Sequence, residues 1–283
     1  MKQFRFLVYG KDERQRCLKE ILENRGHVAK NAEESSAGFF DAILLPLPET
    51  ETFFGKIKEE LVPGQIVFGA NFGQSVACQA KEKKITVVDY MKADGVAEKN
   101  AVSVAEGILA EAICAMKENL CGSRCLVCGF GRCGSRIAER LAACQADVDV
   151  FEKEDQKRQA VEAAGAVWRP HADPGAYELI VNTVPQPLFT GQVLSRCKKE
   201  VCILDLASGN GGVDLEICKA YGICAKRCPG LPARYAPKAA AKILADVIEK
   251  EMDVRKKGNR EWKQKIKRLW VLPLQDLFAH MRR

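Results

Sequence analysis

The sequence has no long apolar run, since no stretch approaches the roughly eighteen consecutive apolar residues that indicate a transmembrane helix. The first ten residues lead directly into charged residues and show no cleavage-site pattern of a secretory signal peptide. We therefore expect a cytoplasmic protein without a membrane span.

Histidine is scarce too, with His27, His171 and His280 the only three in 283 residues. Imidazole is the side chain used most often for proton transfer near neutral pH. Catalysis in this chain therefore has few histidines to draw on, and other side chains become the candidates.

Cysteine, by contrast, is plentiful, with 13 residues. Disulfide scaffolds belong to short secreted chains, whereas these cysteines fall within the strands and helices of a long one, so we expect free thiols. Cys121, Cys125, Cys128 and Cys133 are close enough in sequence to raise the alternative of a metal site. Because strand alternation would point Cys125 and Cys128 to opposite faces, we expect no metal site.

The net charge of +7 is concentrated at the end of the chain. Residues 255–283 hold ten basic residues against Glu261 and Asp276, a surplus of eight that leaves the preceding 254 residues at −1. This basic tail could dock on a partner protein, an anionic membrane or nucleic acid, or cap its own domain. For the whole protein we expect no nucleic-acid partner. Apolar residues in the tail recur at the spacing of an amphipathic helix, namely Trp262, Ile266, Leu269 and Trp270.

The length suits two domains, and apolar and charged fractions of 47% and 29% are those of a folded globular protein. Over the first 99 residues, strands at 4–9, 42–47, 65–70 and 85–89 alternate with helices, including one at 49–61. This alternation predicts a flavodoxin-like or Rossmann-like parallel sheet covered on both faces. Asp12 is the expected cap of the first helix, which places Arg14 to meet an anion at that helix end.

Three glycines separate an apolar run at residues 125–128 from an amphipathic helical pattern. In a strand–turn–helix unit, Gly129 would permit the tight turn, Gly131 would let a pyrophosphate approach the backbone, and Gly134 would let helix and strand pack closely. The phosphates would lie at the helix N-terminus. We therefore predict a dinucleotide site built on Gly129, Phe130, Gly131, Arg132, Cys133 and Gly134.

A second strand over residues 148–151 ends at Glu152, where a dinucleotide fold places the acid that holds the adenosine ribose. Glu152 would bond both ribose hydroxyls and repel a 2′-phosphate, which favours NAD. Lys153, Lys157 and Arg158 could instead pair with that phosphate, which favours NADP. The residues by themselves favour NAD slightly, and both cofactors stay open.

Strands predicted at residues 166–168, 179–181, 201–206 and 223–226 complete a doubly wound NAD(P)-binding Rossmann sheet of six strands. A loop at 229–237 and a helix at 238–251 follow. Ligands lie outside the carboxyl ends of such strands, so two strand ends should face the nicotinamide. Asn182 and Thr183 could instead only cap the next turn. The candidate contacts are Asn182, Thr183, Pro185, Asp205, Ala207 and Ser208.

No histidine lies at a predicted strand end facing the cofactor, which argues against a dehydrogenase that removes an alcohol proton with histidine. Lys238, Arg14 and Arg234 are candidates to neutralise a substrate carboxylate. Glu106 could act as a base or orient a neighbouring group.

Several short segments together identify a family. They are Gly10, Asp12, Arg14 and Gln15; Asn100, Glu106 and Gly107; Gly129 to Gly134; Asn182, Thr183 and Pro185; Asp205 to Ser208 with Gly211, Gly212 and Asp214; and Pro229 to Pro232 with Ala236, Pro237 and Lys238. Through them the first 250 residues resemble the dipicolinate synthase A subunit family. The resemblance implies an NADP-dependent oxidoreductase that oxidises a dihydrodipicolinate-type precursor to dipicolinate during sporulation. It also implies that the partner is a flavoprotein-like B subunit, and that Arg14 and Lys238 clamp carboxylates.

We accordingly expect a substrate domain at residues 1–99 plus 238–254, a connecting helix at 100–119, a Rossmann domain at 120–237 and the basic tail at 255–283. The expected substrate is a small dicarboxylate, and the expected assembly is a homo-oligomer. Two alternatives remain. One is a dehydrogenase of another small carboxylate or amino acid, and the other is a catalytically silent dinucleotide-binding subunit that regulates a partner.

Overall fold

The structure, a computed structural model, describes residues 3–34 and 40–270, with residue 34 and residues 256–270 as backbone only. Its described part contains two parallel sheets, each covered by helices on both faces. The predicted α/β class with two parallel sheets is confirmed.

The first sheet has five strands in the order β2-β1-β3-β4-β5. The strands are β1 (Arg5–Val8), β2 (Val28–Asn31), β3 (Ala42–Leu44), β4 (Ile66–Gly69) and β5 (Thr86–Asp89). The helices are α1 (Glu13–Asn24), α2 (Thr50–Ile57) and α3 (Gln74–Glu82). The sequence prediction misses β2 because this edge strand carries exposed Lys30 and Asn31 and shows no apolar run. The predicted helix at 49–61 ends earlier, at Ile57.

A long helix, α4 (Val96–Ala115), leads from the first sheet to the second. It lies four residues earlier at both ends than the predicted helix at 100–119. It begins after Gly95, whose φ of +75° lies in the left-handed region. The start of the helix is therefore set by a glycine turn, which the spacing of apolar residues does not indicate.

The second sheet has six strands in the order β11-β10-β9-β6-β7-β8, which confirms the predicted doubly wound sheet. The strands are β6 (Arg124–Cys128), β7 (Asp147–Phe151), β8 (Val167–Arg169), β9 (Leu179–Asn182), β10 (Cys202–Asp205) and β11 (Cys224–Arg227). The helices are α5 (Arg132–Ala143), α6 (Arg158–Ala163), α7 (Gly191–Leu194), α8 (Leu215–Tyr221) and α9 (Leu231–Tyr235). The predicted loop at 229–237 is wrong over α9, since a five-residue helix is too short to show a helical period.

The last helix, α10 (Pro237–Trp270), returns to the first sheet. Leu244 and Ile248 pack with Leu18 of α1 in one buried cluster. Arg25, just after α1, donates to Asp246 and Glu249 at 2.8 Å each. Helix α10 therefore packs beside α1 on the first sheet.

In the described part of the chain, no helix is long and apolar enough to cross a membrane. The predicted apolar face of the tail, Trp262, Ile266, Leu269 and Trp270, concerns side chains outside those that the structure describes.

Candidate dinucleotide-binding site

The glycine turn joins β6 to α5 at the carboxyl edge of the second sheet. Gly129 has φ of +89°, and a Cβ built on Gly134 would lie 2.0 Å from the carbonyl oxygen of Gly129. Any side chain at Gly134 would therefore push the helix off the turn. A Cβ on Gly131, in contrast, meets no atom within 4 Å, so the turn is open where a phosphate would approach.

The N-terminus of α5 faces this open side. Gly131 precedes the helix and offers no side chain to cap its first turn, which leaves the amides of that turn for an anion. Arg132 is exposed and pairs with Glu98 of α4 at 3.5 Å. Cys133 is half-buried, and burial raises the pKa of its thiol, so it stays protonated at neutral pH.

Glu152 lies at the end of β7, next to the turn. Its carboxylate accepts from the amides of Phe130 at 3.1 Å, Lys153 at 2.9 Å and Glu154 at 3.2 Å, and from Lys157 Nζ at 3.0 Å. Burial opposes the charged form, but these hydrogen bonds outweigh it and lower the pKa of Glu152. The acid thus holds the glycine turn in place, besides lying where a ribose would bind. Lys153 is exposed.

The loop after β9 carries three predicted contacts. Asn182 is fully buried, with Nδ2 donating to Asp205 Oδ1 at 2.9 Å and Oδ1 accepting from the amide of Val184 at 3.1 Å. Thr183 donates to the carbonyl of Cys128 at 2.7 Å and lies against Gly129. Pro185 is exposed. Asn182 therefore holds loops together in this structure, and its direct contact with a cofactor stays a prediction.

The loop after β10 lies beside it. Asp205 is fully buried and accepts from the amides of Ala207 at 3.2 Å and Gly212 at 3.1 Å. Ala207 is buried, whereas Ser208 is exposed at the tip of the loop. Of the three predicted contacts here, Ser208 is thus the one whose side chain reaches the surface.

The candidate substrate residues have different surroundings in the described part of the chain. Arg14 is buried, donates to the carbonyl of Leu47 at 2.8 Å and pairs with Asp12 at 3.3 Å. Its Nε is buried without a partner among the described residues. Lys238 is exposed and lines a groove with Cys17 of α1, and Glu106 is exposed on α4. Asp12 accepts from the amide of Gln15 at 2.9 Å, which confirms it as the helix cap.

A cleft of about 990 Å³ lies at the carboxyl ends of β1 and β3. It includes the turn at residues 10–12 that follows β1, and all its described lining residues lie between Val8 and Phe53. The cleft is therefore built by the first sheet alone, and neither Arg14 nor Lys238 lines it.

Two groups of charged residues contain members that were not predicted from the sequence, namely Glu111, Lys226 and Arg227. Glu111 of α4 is 2% exposed and pairs with Arg234 of α9 at 2.5 Å and with Lys226 of β11. Arg234, predicted as a substrate contact, is thus already neutralised by a buried carboxylate. Arg227 of β11 bonds the loop after β10. The only sequence signal for Lys226 and Arg227 is their place at the end of a predicted strand.

The cysteines are all free thiols among the residues described. Burial raises the pKa of Cys125 to about 12, so this thiol is not a thiolate at neutral pH. Within the described ranges, no three histidine, cysteine or acidic side chains lie where they could hold one metal ion.

Comparison with known proteins agrees with this geometry. Residues 118–210 match the sequence model of a family described as putative NAD(P)-binding. The chain is 31% identical over 250 residues to the dipicolinate synthase A subunit of Bacillus subtilis, which covers 80% of this chain and 82% of the relative. The crystal structure of the dipicolinate synthase A subunit from Bacillus halodurans is similar at a TM-score of 0.77 and 26% identity, over 87% of this chain and 97% of that one. The transhydrogenase from Sinorhizobium meliloti shares the fold at a TM-score of 0.69 and 14% identity, over 87% and 94%.

The open side of Gly131, the uncapped first turn of α5 and the acid at the end of β7 all fit a dinucleotide. The family match supports binding of NAD or NADP, and these features make the carboxyl edge of the second sheet the candidate site.

Proposed function

Because the chain belongs to the dipicolinate synthase A subunit family, we propose that it is an NAD(P)-dependent oxidoreductase subunit that oxidises a dihydrodipicolinate-type precursor to dipicolinate. The observation that carries the proposal is the extent of the similarity. A match over residues 118–210 alone would indicate only a dinucleotide-binding unit, whereas the similarity to the Bacillus subtilis protein covers 80% of the chain.

The proposed reaction requires little acid–base catalysis by the protein. A dihydropyridine dicarboxylate that loses a hydride and a proton becomes an aromatic pyridine dicarboxylate, so the ring itself supplies the driving force. When bound, the oxidised nicotinamide accepts the hydride. The chain has to hold a dianionic ring in place and let a proton leave, which is compatible with its scarcity of histidine.

Cations are needed to hold the two carboxylates. We assign this role to Lys238, which is exposed at the start of α10, and to Arg14, whose buried Nε has no partner among the described residues. Arg14 already donates to Leu47 and pairs with Asp12, so it would act from a fixed position. Glu106 is exposed on α4 and would take up or relay the proton.

The proposal extends to setting and partners. The protein would act in the cytoplasm of a spore-forming cell, as a homo-oligomer together with a flavoprotein-like B subunit. Residues 1–99 with 238–254 would form the substrate domain, residues 100–119 the connecting helix, residues 120–237 the dinucleotide domain and residues 255–283 the tail.

The test is the absorbance of reduced nicotinamide on mixing the purified chain with NAD or NADP and freshly generated dihydrodipicolinate, with and without the B subunit. We expect the absorbance to rise faster with the protein than through spontaneous oxidation of the substrate. The cofactor that gives the faster rise is the one that the chain uses. No rise in any combination, despite measurable dinucleotide binding, would favour a silent subunit or another carboxylate substrate.

A substitution tests the clamp. Lys238→Ala should abolish most turnover and leave dinucleotide affinity unchanged, because Lys238 lies on α10 rather than at the glycine turn. Lys242→Ala, which removes an exposed lysine about one turn further along the same helix, is the matched control and should retain activity. Full turnover in Lys238→Ala would remove the role assigned to that residue.

A further inference from the structure

The loop after β10 has little in its own sequence to give it one shape. It runs through Ser208, Gly209, Asn210, Gly211 and Gly212, and glycine-rich backbone loses much conformational freedom when it is ordered. External bonds must therefore hold it. At its far end, the amide of Phe189 donates to the carbonyl of Gly212 at 2.9 Å.

At its near end, the loop is held by Arg227 at the end of the edge strand β11. Arg227 Nη2 donates to the carbonyl of Ala207 at 3.0 Å and to the carbonyl of Gly209 at 3.0 Å. These two carbonyls flank Ser208 in the chain. One guanidinium nitrogen thus holds the backbone at the residue before and at the residue after the exposed serine.

Arg227 is itself held by the buried network beneath the loop. Its Nε lies 3.7 Å from Asp205 Oδ2, and Asp205 accepts a hydrogen bond from Asn182 at the end of the neighbouring strand β9. The approach is close: a Cβ built on Gly211 would lie 2.2 Å from Asp205 Oδ2 and 2.8 Å from Arg227 Nη1. The arginine therefore couples the loops after β9 and β10, the two that end at the predicted nicotinamide side of the sheet.

We propose that Arg227 is a positioning residue that presents Ser208 to the nicotinamide half of the bound dinucleotide. The inference rests on the dinucleotide site described above and adds a residue to it, without depending on which substrate is oxidised. Arg227 acts through the carbonyls of Ala207 and Gly209 and does not itself contact the cofactor.

The test compares two ligands that share the adenosine half of the site. Dissociation constants are measured by calorimetry for the intact dinucleotide and for ADP-ribose, which lacks the nicotinamide; if the chain prefers NADP, the 2′-phosphate of ADP-ribose is used. Arg227→Lys should weaken binding of the dinucleotide by about tenfold. A lysine ammonium lacks the planar guanidinium that hydrogen-bonds both carbonyls while it pairs with Asp205. ADP-ribose should bind as it does to the unchanged chain.

Two further variants separate positioning from general loss of structure. Ser208→Ala should weaken the dinucleotide selectively as well, and the double variant should be no weaker than the weaker-binding single variant, because both act on one contact. Arg196→Lys is the control. It alters an exposed arginine that pairs with Asp173 at 2.8 Å, and it should change the affinity neither for the dinucleotide nor for ADP-ribose. Thermal unfolding of each variant records whether the fold is retained.

Each outcome decides the matter. Three results would overturn the positioning role. They are an equal loss of affinity for both ligands in Arg227→Lys, no loss of affinity for either ligand, and additive losses in the double variant. If the unchanged chain bound neither ligand, the dinucleotide site would fail and this inference with it. The measurements need no substrate, so failure of the dipicolinate assay leaves them unaffected.

Discussion

At the scale of single residues, Glu152 supports the glycine turn and also lies where it would influence the choice of cofactor. Its carboxylate accepts from the amide of Phe130 in the glycine turn and from Lys157. A charge at this point repels a 2′-phosphate, but Lys157 beside it offers a cation to the same phosphate. The choice between NAD and NADP therefore depends on whether repulsion of the 2′-phosphate by Glu152 or its attraction by Lys157 is stronger.

Glu152→Gln should shift the preference towards NADP. The change removes the negative charge and frees Lys157 for a phosphate, so the ratio of the NAD to the NADP dissociation constant should rise by about tenfold. Titration of both cofactors measures it. Glu154→Gln is the control, because Glu154 also pairs with Lys157, at 3.1 Å, but is exposed. An unchanged ratio in Glu152→Gln would show that Glu152 only supports the turn.

Glu111 is a buried carboxylate held by cations. Hydrogen bonding to Lys226 is the largest influence and lowers the pKa of Glu111, burial opposes it, and Tyr235 and Arg234 lower the pKa further. A carboxyl whose pKa is lower in the folded protein stabilises the fold fully above its unfolded pKa of about 4.3, and this stabilisation is lost as the pH falls through the folded value.

Glu111→Gln should therefore destabilise the protein in a pH-dependent way. At pH 7 we expect a loss of about 1–3 kcal/mol in the free energy of unfolding, because two cations lose their shared partner. The difference from the unchanged chain should shrink below about pH 4. Urea unfolding over a pH series measures this, with exposed Glu118→Gln as control. A pH-independent difference would mean that packing, not charge, is what Glu111 contributes.

At the scale of elements, the strand β6, the glycine turn and α5 form a unit whose three glycines have separable roles. Gly134 lets helix and turn touch, whereas Gly131 keeps the ligand side open. The same substitution at these two positions should therefore have different consequences.

Gly131→Ala should weaken dinucleotide binding by about tenfold or more while leaving the free energy of unfolding almost unchanged, since the added methyl meets only the ligand. Gly134→Ala should lose binding and also cost about 1–3 kcal/mol or more of stability, because the methyl meets the Gly129 carbonyl. Calorimetry and urea unfolding separate the two effects. Gly55→Ala is the control and should keep affinity, because Gly55 is exposed on α2 and a Cβ there meets nothing within 4 Å. Equal stability losses at Gly131 and Gly134 would contradict the assignment.

At the scale of the whole molecule, helix α10 completes the core of the first sheet. Leu244, Ala245 and Ile248 of α10 pack on the face that α1 also covers. The core of the first sheet thus includes residues that follow the whole second sheet in the sequence, and α10 connects the dinucleotide-binding sheet back to it.

Ile248→Ala should consequently destabilise the protein by about 2–5 kcal/mol, although Ile248 lies far in sequence from the sheet that it covers. Ile248 is fully buried, whereas Val254 on the same helix is 58% exposed, so Val254→Ala should change stability by less than about 0.5 kcal/mol. Urea unfolding compares the two. A small effect at Ile248 would contradict the proposal that residues 238–254 belong to the first domain.

The features that the sequence predicted correctly are those that neighbouring residues determine. Alternating apolar strands and helices predict parallel sheets, because each strand must be buried on both faces. The glycine spacing predicts the turn, because the close approach of Gly134 to the carbonyl of Gly129 lies within the turn itself. Two elements were missed: β2 is an edge strand with exposed Lys30 and Asn31 and no apolar run, and α9 has too few residues to show a helical period.

The sequence by itself determined the fold class, the dinucleotide turn and the acid beside it, since all of these follow from local backbone geometry and hydrophobic period. Tertiary structure alone decided which side chains are buried together. It neutralised Arg234 with Glu111, buried Asn182 against Asp205, and placed Arg227 on the carbonyls beside Ser208. Partners separated by 20 or more residues meet only after the sheet has set the order of its strands, and no local pattern encodes that order.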